Sequence, residues 1–201
     1  MRRRIGLCAL AFGVVACGGA GRRTAPAPVA SLAAPIYVVR HAEKAAAPAD
    51  DPPLTERGQA RAAALARVLH DAPIGAVIVT QRQRTALTAA PTVLRHGATL
   101  HVIAFGADGM PAHAQRVADS ARALAARTGR GVLVVGHSNT VGLVVRALGG
   151  PVVGELCDSQ HATLFSVLPQ RGGVATTRAS YGAADPVDPA CEGAPPATMR
   201  P

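Results

Sequence analysis

Residues 36–39 read Ile-Tyr-Val-Val and run without a spacer into Arg40 and His41. A short run of β-branched and aromatic side chains suits a strand buried on both faces. Such a strand must lie inside a covered sheet, and open α/β sheets gather ligands beyond the carboxyl ends of their strands. The same pattern recurs twice. Residues 74–80, Ile-Gly-Ala-Val-Ile-Val-Thr, stop at Gln81-Arg82-Gln83-Arg84, and residues 131–136, Gly-Val-Leu-Val-Val-Gly, stop at His137-Ser138-Asn139.

Helical patterns separate these strands. Thr55 is a natural N-cap for a helix with Ala60, Ala64, Leu65, Val68 and Leu69 on its inner face. Arg57, Arg61 and Arg67 lie off that stripe, and Pro73 ends the segment. Further helices are expected over 85–95, 112–127 and 141–148, with a short strand over 100–104. Residues 163–168 and 174–180 read as a last hairpin, and 45–53, rich in Pro and Asp, as a loop. Alternating strands and helices predict an α/β fold, a three-layer α/β/α sandwich around a mostly parallel sheet with mixed pairing at one edge.

If the three strands are parallel, their polar ends open on one edge. That edge would collect His41, His137, Arg40 and Arg84. Two imidazoles and two guanidiniums with few carboxylates suit a phosphate dianion, whose oxygens arginine grips in bidentate fashion. A helix starting just after His137 would add backbone N–H groups. The net charge of +9 rests on twenty arginines and one lysine, Lys44, a ratio typical of coding bias. No basic run is interleaved with aromatics, so nucleic acid is not an expected partner. Histidines flanked by arginines are poor metal ligands, and no metal is expected.

Four short stretches, in order, resemble the motifs of the histidine phosphatase superfamily, the phosphoglycerate-mutase-like fold. They are Val39-Arg40-His41-Ala42-Glu43-Lys44, Leu54-Thr55 with Gly58, Arg84-Thr85 with Thr88-Ala89, and Val135-Gly136-His137-Ser138-Asn139. The resemblance spans residues 35–182. It implies that His41 becomes phosphorylated while Arg40, Arg84 and His137 hold the transferred group, with no cofactor and no metal. Ala42 stands where the family usually has glycine, and Thr80-Gln81 where two serines are frequent. His137 is followed by Ser138-Asn139, not by the Asp of the phytase and acid-phosphatase branch, so that motif supplies no leaving-group acid. Glu43, Asp50, Asp51 and Asp108 are the candidates, with Asp108, before the third helix, favoured. His161 reads as a surface or edge residue, and His70, His96, His101 and His113 as surface or helix-end groups.

The expected activity is hydrolysis of phosphate monoesters or other phosphorylated compounds, small molecules or phosphoproteins, through a covalent phosphohistidine. The alternative is a catalytically silent envelope lipoprotein that binds phosphorylated ligands or a partner protein. A mutase is disfavoured, since the chain lacks insertions for a substrate cap.

The N-terminus carries an address. Arg2, Arg3 and Arg4 precede an apolar segment over 5–15, too short to span a bilayer. Val14-Val15-Ala16-Cys17 resembles a lipobox, which implies lipid on Cys17, export, and a membrane anchor that places the domain in the periplasm or outside the cell. Residues 1–17 are thus the expected signal, 18–34 a Gly/Ala/Pro-rich linker, 35–184 the folded domain and 185–201 a Pro-rich tail. After Cys8 and Cys17, two cysteines remain. Cys157 and Cys191 form a candidate disulfide in an oxidising compartment. Its tail, outside the four motifs, is expected to matter little to the site.

Overall fold

The computed structural model describes residues 34–192. The signal, the lipobox with Cys17, most of the linker and the tail beyond 192 lie outside the described residues. One six-stranded sheet organises the rest. Its strands are β1 (Ile36–Arg40), β2 (Ile74–Val79), β3 (Thr99–Val102), β4 (Gly131–Gly136), β5 (Thr163–Gln170) and β6 (Gly173–Ser180), in the spatial order β3-β2-β4-β1-β5-β6. The first four are mutually parallel, β5 runs antiparallel to β1, and β6 returns beside β5.

Alternation along each strand builds two cores. Ile36 and Val38 of β1, with Val132 and Val134 of β4, face α3 (Gly109–Thr128) and α4 (Ser138–Ala147). Val39, Leu133 and Val135 face α1 (Glu56–Val68) and α2 (Gln83–His96). The result is a three-layer α/β/α sandwich, as the apolar runs require. The core is made mostly of Val, Ala and Leu, with Phe165 its largest fully buried side chain.

Thr55 caps α1 by accepting from the Gly58 N–H at 3.0 Å. Such a cap stabilises a helix by ~1 kcal/mol. Gly58 itself has no room for a side chain, because a Cβ there would collide with the Glu43 carbonyl.

The inner face of α1 differs from the periodicity reading. Ala60 is exposed and Val68 is 55% exposed, whereas Arg61 is 2% exposed. Arg61 can sit inside because every part of its head is engaged. It donates to the Glu43 carboxylate from Nε and Nη2, and to the carbonyls of Tyr181 and Ala183 from Nη1. A buried charge is tolerated when so paired. His113 is a second correction, buried on α3 and not at the surface. Its ring packs on Phe105 with centroids 4.6 Å apart.

α3 starts at Gly109, three residues before the expected position, because Pro111 falls in its first turn, where a missing N–H is harmless. α4 starts at Ser138, immediately after His137.

Candidate active site

β2, β4 and β1 are neighbours in the sheet and run the same way, so their carboxyl ends open side by side. The His41 N–H donates to the Gly136 carbonyl at 2.9 Å and ties the ends of β1 and β4 together. The imidazoles of His41 and His137 then meet edge to face, centroids 5.2 Å apart. Arg84, on the first turn of α2 behind β2, reaches the same point. Its Nη2 donates to Nδ1 of His137 at 3.4 Å. The four residues expected to meet, Arg40, His41, Arg84 and His137, are thus gathered at one edge.

Hydrogen bonds fix both tautomers. His41 Nδ1 lies 2.8 Å from the Ala42 carbonyl, which only accepts, so Nδ1 carries the hydrogen and Nε2 keeps a free lone pair. At His137, Nδ1 accepts from Arg84, so Nε2 carries the hydrogen and donates to Thr80 Oγ1 at 3.0 Å. Thr80 therefore locks the second histidine.

Both imidazoles are held neutral, their pKa values lowered to about 3. Burial is the larger cause at both histidines, with Arg40 and Arg84 adding to it.

Arg40 is buried and Arg84 partly buried, and both are only partly engaged. Arg40 is 4% exposed and donates from Nη1 to the carbonyls of Cys157, Asp158 and Gln160, at 2.6, 3.0 and 3.2 Å. Its Nη2 meets the Asp158 carboxylate at 3.1 Å. The Nε atoms of Arg40 and of Arg84 are both buried without a hydrogen-bond partner. Leaving a buried donor unpaired is costly, and an oxyanion is the natural acceptor for a guanidinium edge.

Two threonines of the Arg84 motif are bolts. Thr88 Oγ1 donates to the Arg84 carbonyl at 2.7 Å and accepts from the Ala42 N–H at 2.9 Å, pinning α2 to the chain after His41. Thr85 Oγ1 donates to the Arg82 carbonyl at 2.8 Å and accepts from the Thr80 N–H at 3.2 Å, bracing the turn from β2 into α2.

The candidate acids disperse. Asp108, the favoured one, pairs with Arg116 of its own helix α3. Glu43 is consumed by Arg61 and Arg57. Burial would raise its pKa, but the Arg61 hydrogen bond and charge outweigh that and hold it below the ordinary value. Asp51 comes nearest to the site. Its carboxylate caps α2 by accepting from the Gln83 N–H and lies 3.6 Å from Arg84 Nη1. Among the described residues, neither imidazole is hydrogen-bonded to a carboxylate.

His161 is the residue that sequence reasoning set aside. It is 8% exposed, and its Nδ1–H donates to the His41 carbonyl at 2.9 Å. Its ring centroid lies 6.0 Å from that of His41. The signal was the hairpin. A strand antiparallel to β1 begins at the edge where β1 ends, so residues just before it arrive beside His41.

This fold and site define a phosphoglycerate-mutase-like α/β domain with paired histidines and arginines at one sheet edge. The family likeness read from the four motifs is borne out over residues 36–105, which match the model of the histidine phosphatase superfamily (branch 1). That stretch contains Arg40, His41 and Arg84 but not His137. No curated protein matches the chain in sequence.

Solved structures share the fold. The protein histidine phosphatase SixA complexed with tungstate superposes with a TM-score of 0.57 at 22% identity, covering 73% of this chain and 96% of that one. Phosphoglycerate mutase from Bacillus anthracis gives 0.56 at 16% identity, covering 73% and 92%. A mycobacterial glucosyl-3-phosphoglycerate phosphatase complexed with VO3 gives 0.55 at 17% identity, covering 76% and 100%.

Proposed function

We propose that the chain is a phosphohydrolase that moves a phosphoryl group first to Nε2 of His41 and then to water. The observation that carries this reading is a neutral imidazole with Nε2 free, set beside buried Arg40 and partly buried Arg84, whose Nε donors are both buried without partners. The family likeness, and the phosphatases among the solved structures of this fold, support the same activity.

In the first step the Nε2 lone pair attacks phosphorus. The P–O bond breaks, and its electron pair leaves with the departing oxygen, which is protonated from solvent. Arg40 and Arg84 neutralise charge on the equatorial oxygens, the largest contribution this site can make. An arriving dianion takes the Arg84 N–H away from His137. It also favours imidazolium, so Nδ1 of His137 acquires a proton and becomes a donor to the same group. In the second step water attacks phosphorus, the N–P bond breaks and its pair returns to His41 Nε2, releasing inorganic phosphate. With no carboxylate on either imidazole, substrates with good leaving groups fit best, such as phosphohistidine, acyl phosphates or aryl phosphates. No metal is required, and turnover should persist in chelator.

The test is to trap the intermediate. Incubation with a phosphate ester labelled on phosphorus, quenched into alkali, should leave label on His41 that acid releases. His41→Ala should lose label and turnover together. Wild-type turnover in His41→Ala rules out the covalent mechanism. A protein that binds vanadate but hydrolyses and labels with nothing is the silent binder instead.

The lipobox-like run ending at Cys17 supports placing this activity on an exported, lipid-anchored chain in the cell envelope. Fatty-acid labelling that disappears in Cys17→Ser tests that placement, and equal labelling of the two proteins overturns it.

A further inference from the structure

Arg40 is held by a segment with no regular structure. All four of its acceptors, three carbonyls and one carboxylate, come from residues 157–160. That segment lies between the end of α4 and β5 and contains only a turn. Internally it is closed by the Gln160 N–H on the Cys157 carbonyl at 2.9 Å and by the Cys157 N–H on Gln160 Oε1 at 3.0 Å. Its next residue, His161, donates to the His41 carbonyl.

Two attachments hold the turn from outside. Both come from the stretch assigned to the tail. Asp185 accepts from the backbone N–H groups of His161 and Ala162 at 2.9 and 3.0 Å. The boundary drawn after residue 184 therefore cuts through a hydrogen-bonded pair of segments. Cys157 is joined by a disulfide to Cys191, on the short helix α5 (Pro189–Glu192), with Cα atoms 6.0 Å apart.

We propose that the turn at residues 157–161, closed by the Cys157–Cys191 disulfide, is the positioning element of the phosphate site. It fixes the plane of the Arg40 guanidinium, and so the direction of the Nε–H that meets the anion. Anion affinity then follows the redox state of the disulfide. The guanidinium is planar, so three carbonyls on Nη1 set the orientation of its opposite edge. The carbonyls carry the clamp. The Asp158 side chain is 99% exposed, and an ion pair so placed contributes little. Without the covalent link, the turn keeps hydrogen bonds alone: its own, those to Arg40 and Asp185, and that of His161 to the His41 carbonyl. The 34-residue separation between the cysteines regains freedom, and the carbonyls lose their common register.

The regulatory part rests on the phosphatase reading for turnover, but not for binding. Reduction takes two electrons and two protons from a dithiol, which becomes a disulfide, and leaves Cys157 and Cys191 as thiols.

The experiment measures vanadate inhibition of aryl phosphate turnover, and vanadate binding by calorimetry, on the oxidised and dithiol-reduced protein. Reduction should raise the vanadate inhibition constant and dissociation constant about tenfold, the loss expected when one charged donor is misaligned. Cys191→Ser should match the reduced protein and no longer respond to dithiol. Gln160→Ala, which opens the turn with the disulfide intact, should move the constants the same way. A loss of folded fraction alone lowers turnover but leaves the inhibition constant unchanged, so the constant separates positioning from stability. Equal constants in oxidised, reduced and Gln160→Ala proteins overturn the proposal. If the oxidised protein binds vanadate yet turns over nothing, the phosphatase reading fails and the binding data still decide the clamp.

Discussion

Arg61, in the first half of α1, places its Nη2 2.7 Å from Glu43 Oε1, two residues beyond His41, with its Nε 3.0 Å from both carboxylate oxygens. The guanidinium side chain is 1% exposed and the carboxylate 17%. Arg61 also lies 3.4 Å from Asp185, the residue that holds the start of β5. One buried cation therefore joins the chain after His41, the α1 helix and the C-terminal segment.

Removing that cation should be costly. Arg61→Ala leaves Glu43 with only the more exposed Arg57 and leaves two backbone carbonyls without their donor, and losses of roughly 3–5 kcal/mol are typical when one member of a buried pair is deleted. Urea unfolding should show it. The Glu43 pKa lies below its ordinary 4.5 in the fold. Its stabilisation is thus fully present above 4.5 and is lost as pH falls through the lower folded value. Glu43→Gln should flatten that part of the stability profile.

Histidine ionisation sets a second pH dependence. His41 and His137 are held at about 3, against an ordinary 6.5. Below 6.5 the unfolded chain binds protons that the folded chain refuses, so stability should fall steadily as pH drops from 6.5 toward about 3. Activity should behave differently. With substrate ionisation corrected, kcat/KM should show no inflection near 6.5, since the free enzyme keeps His41 neutral there. An acid limb centred at 6.5 would mean that His41 is less buried than the structure shows.

Arg84 should act through its fork. Arg84→Ala should cut kcat/KM by on the order of 10²–10³ and weaken vanadate inhibition, with thermal stability little changed. Arg84→Lys should recover only part of this, because an ammonium replaces the charge but not the planar pair of donors. Steady-state kinetics and a melting curve suffice. Full activity in Arg84→Ala removes this residue from the site and makes Arg82 the next to test.

Thr80→Val isolates the tautomer of His137. The substitution keeps shape but deletes the acceptor for Nε2–H, leaving a buried donor unpaired, which costs roughly 1–3 kcal/mol. It should lower kcat more than it raises KM, as the proposed role of His137 on the group in transit requires. Nitrogen NMR of the imidazole should show Nε2–H in wild type and a mixed tautomer in the variant.

The sequence by itself determined the sandwich and most of the edge. Apolar runs at 36–39, 74–79 and 131–136 can be buried only inside a covered sheet, and each ends in the polar residues that meet there. Local spacing also placed Thr55 and the strand-end histidines, because caps and strand ends are local properties. What tertiary structure alone decided is which polar side chains are inside. Helical periodicity put Arg61 outside and Val68 inside, and the fold reversed both, because Glu43, Tyr181 and Ala183 supply partners from distant parts of the chain. His161 and the turn at 157–160 became neighbours of His41 and Arg40 only when β5 ran antiparallel to β1. Whether a charge or an imidazole can be buried depends on donors and acceptors from 18 to more than a hundred residues away, and no local pattern encodes those.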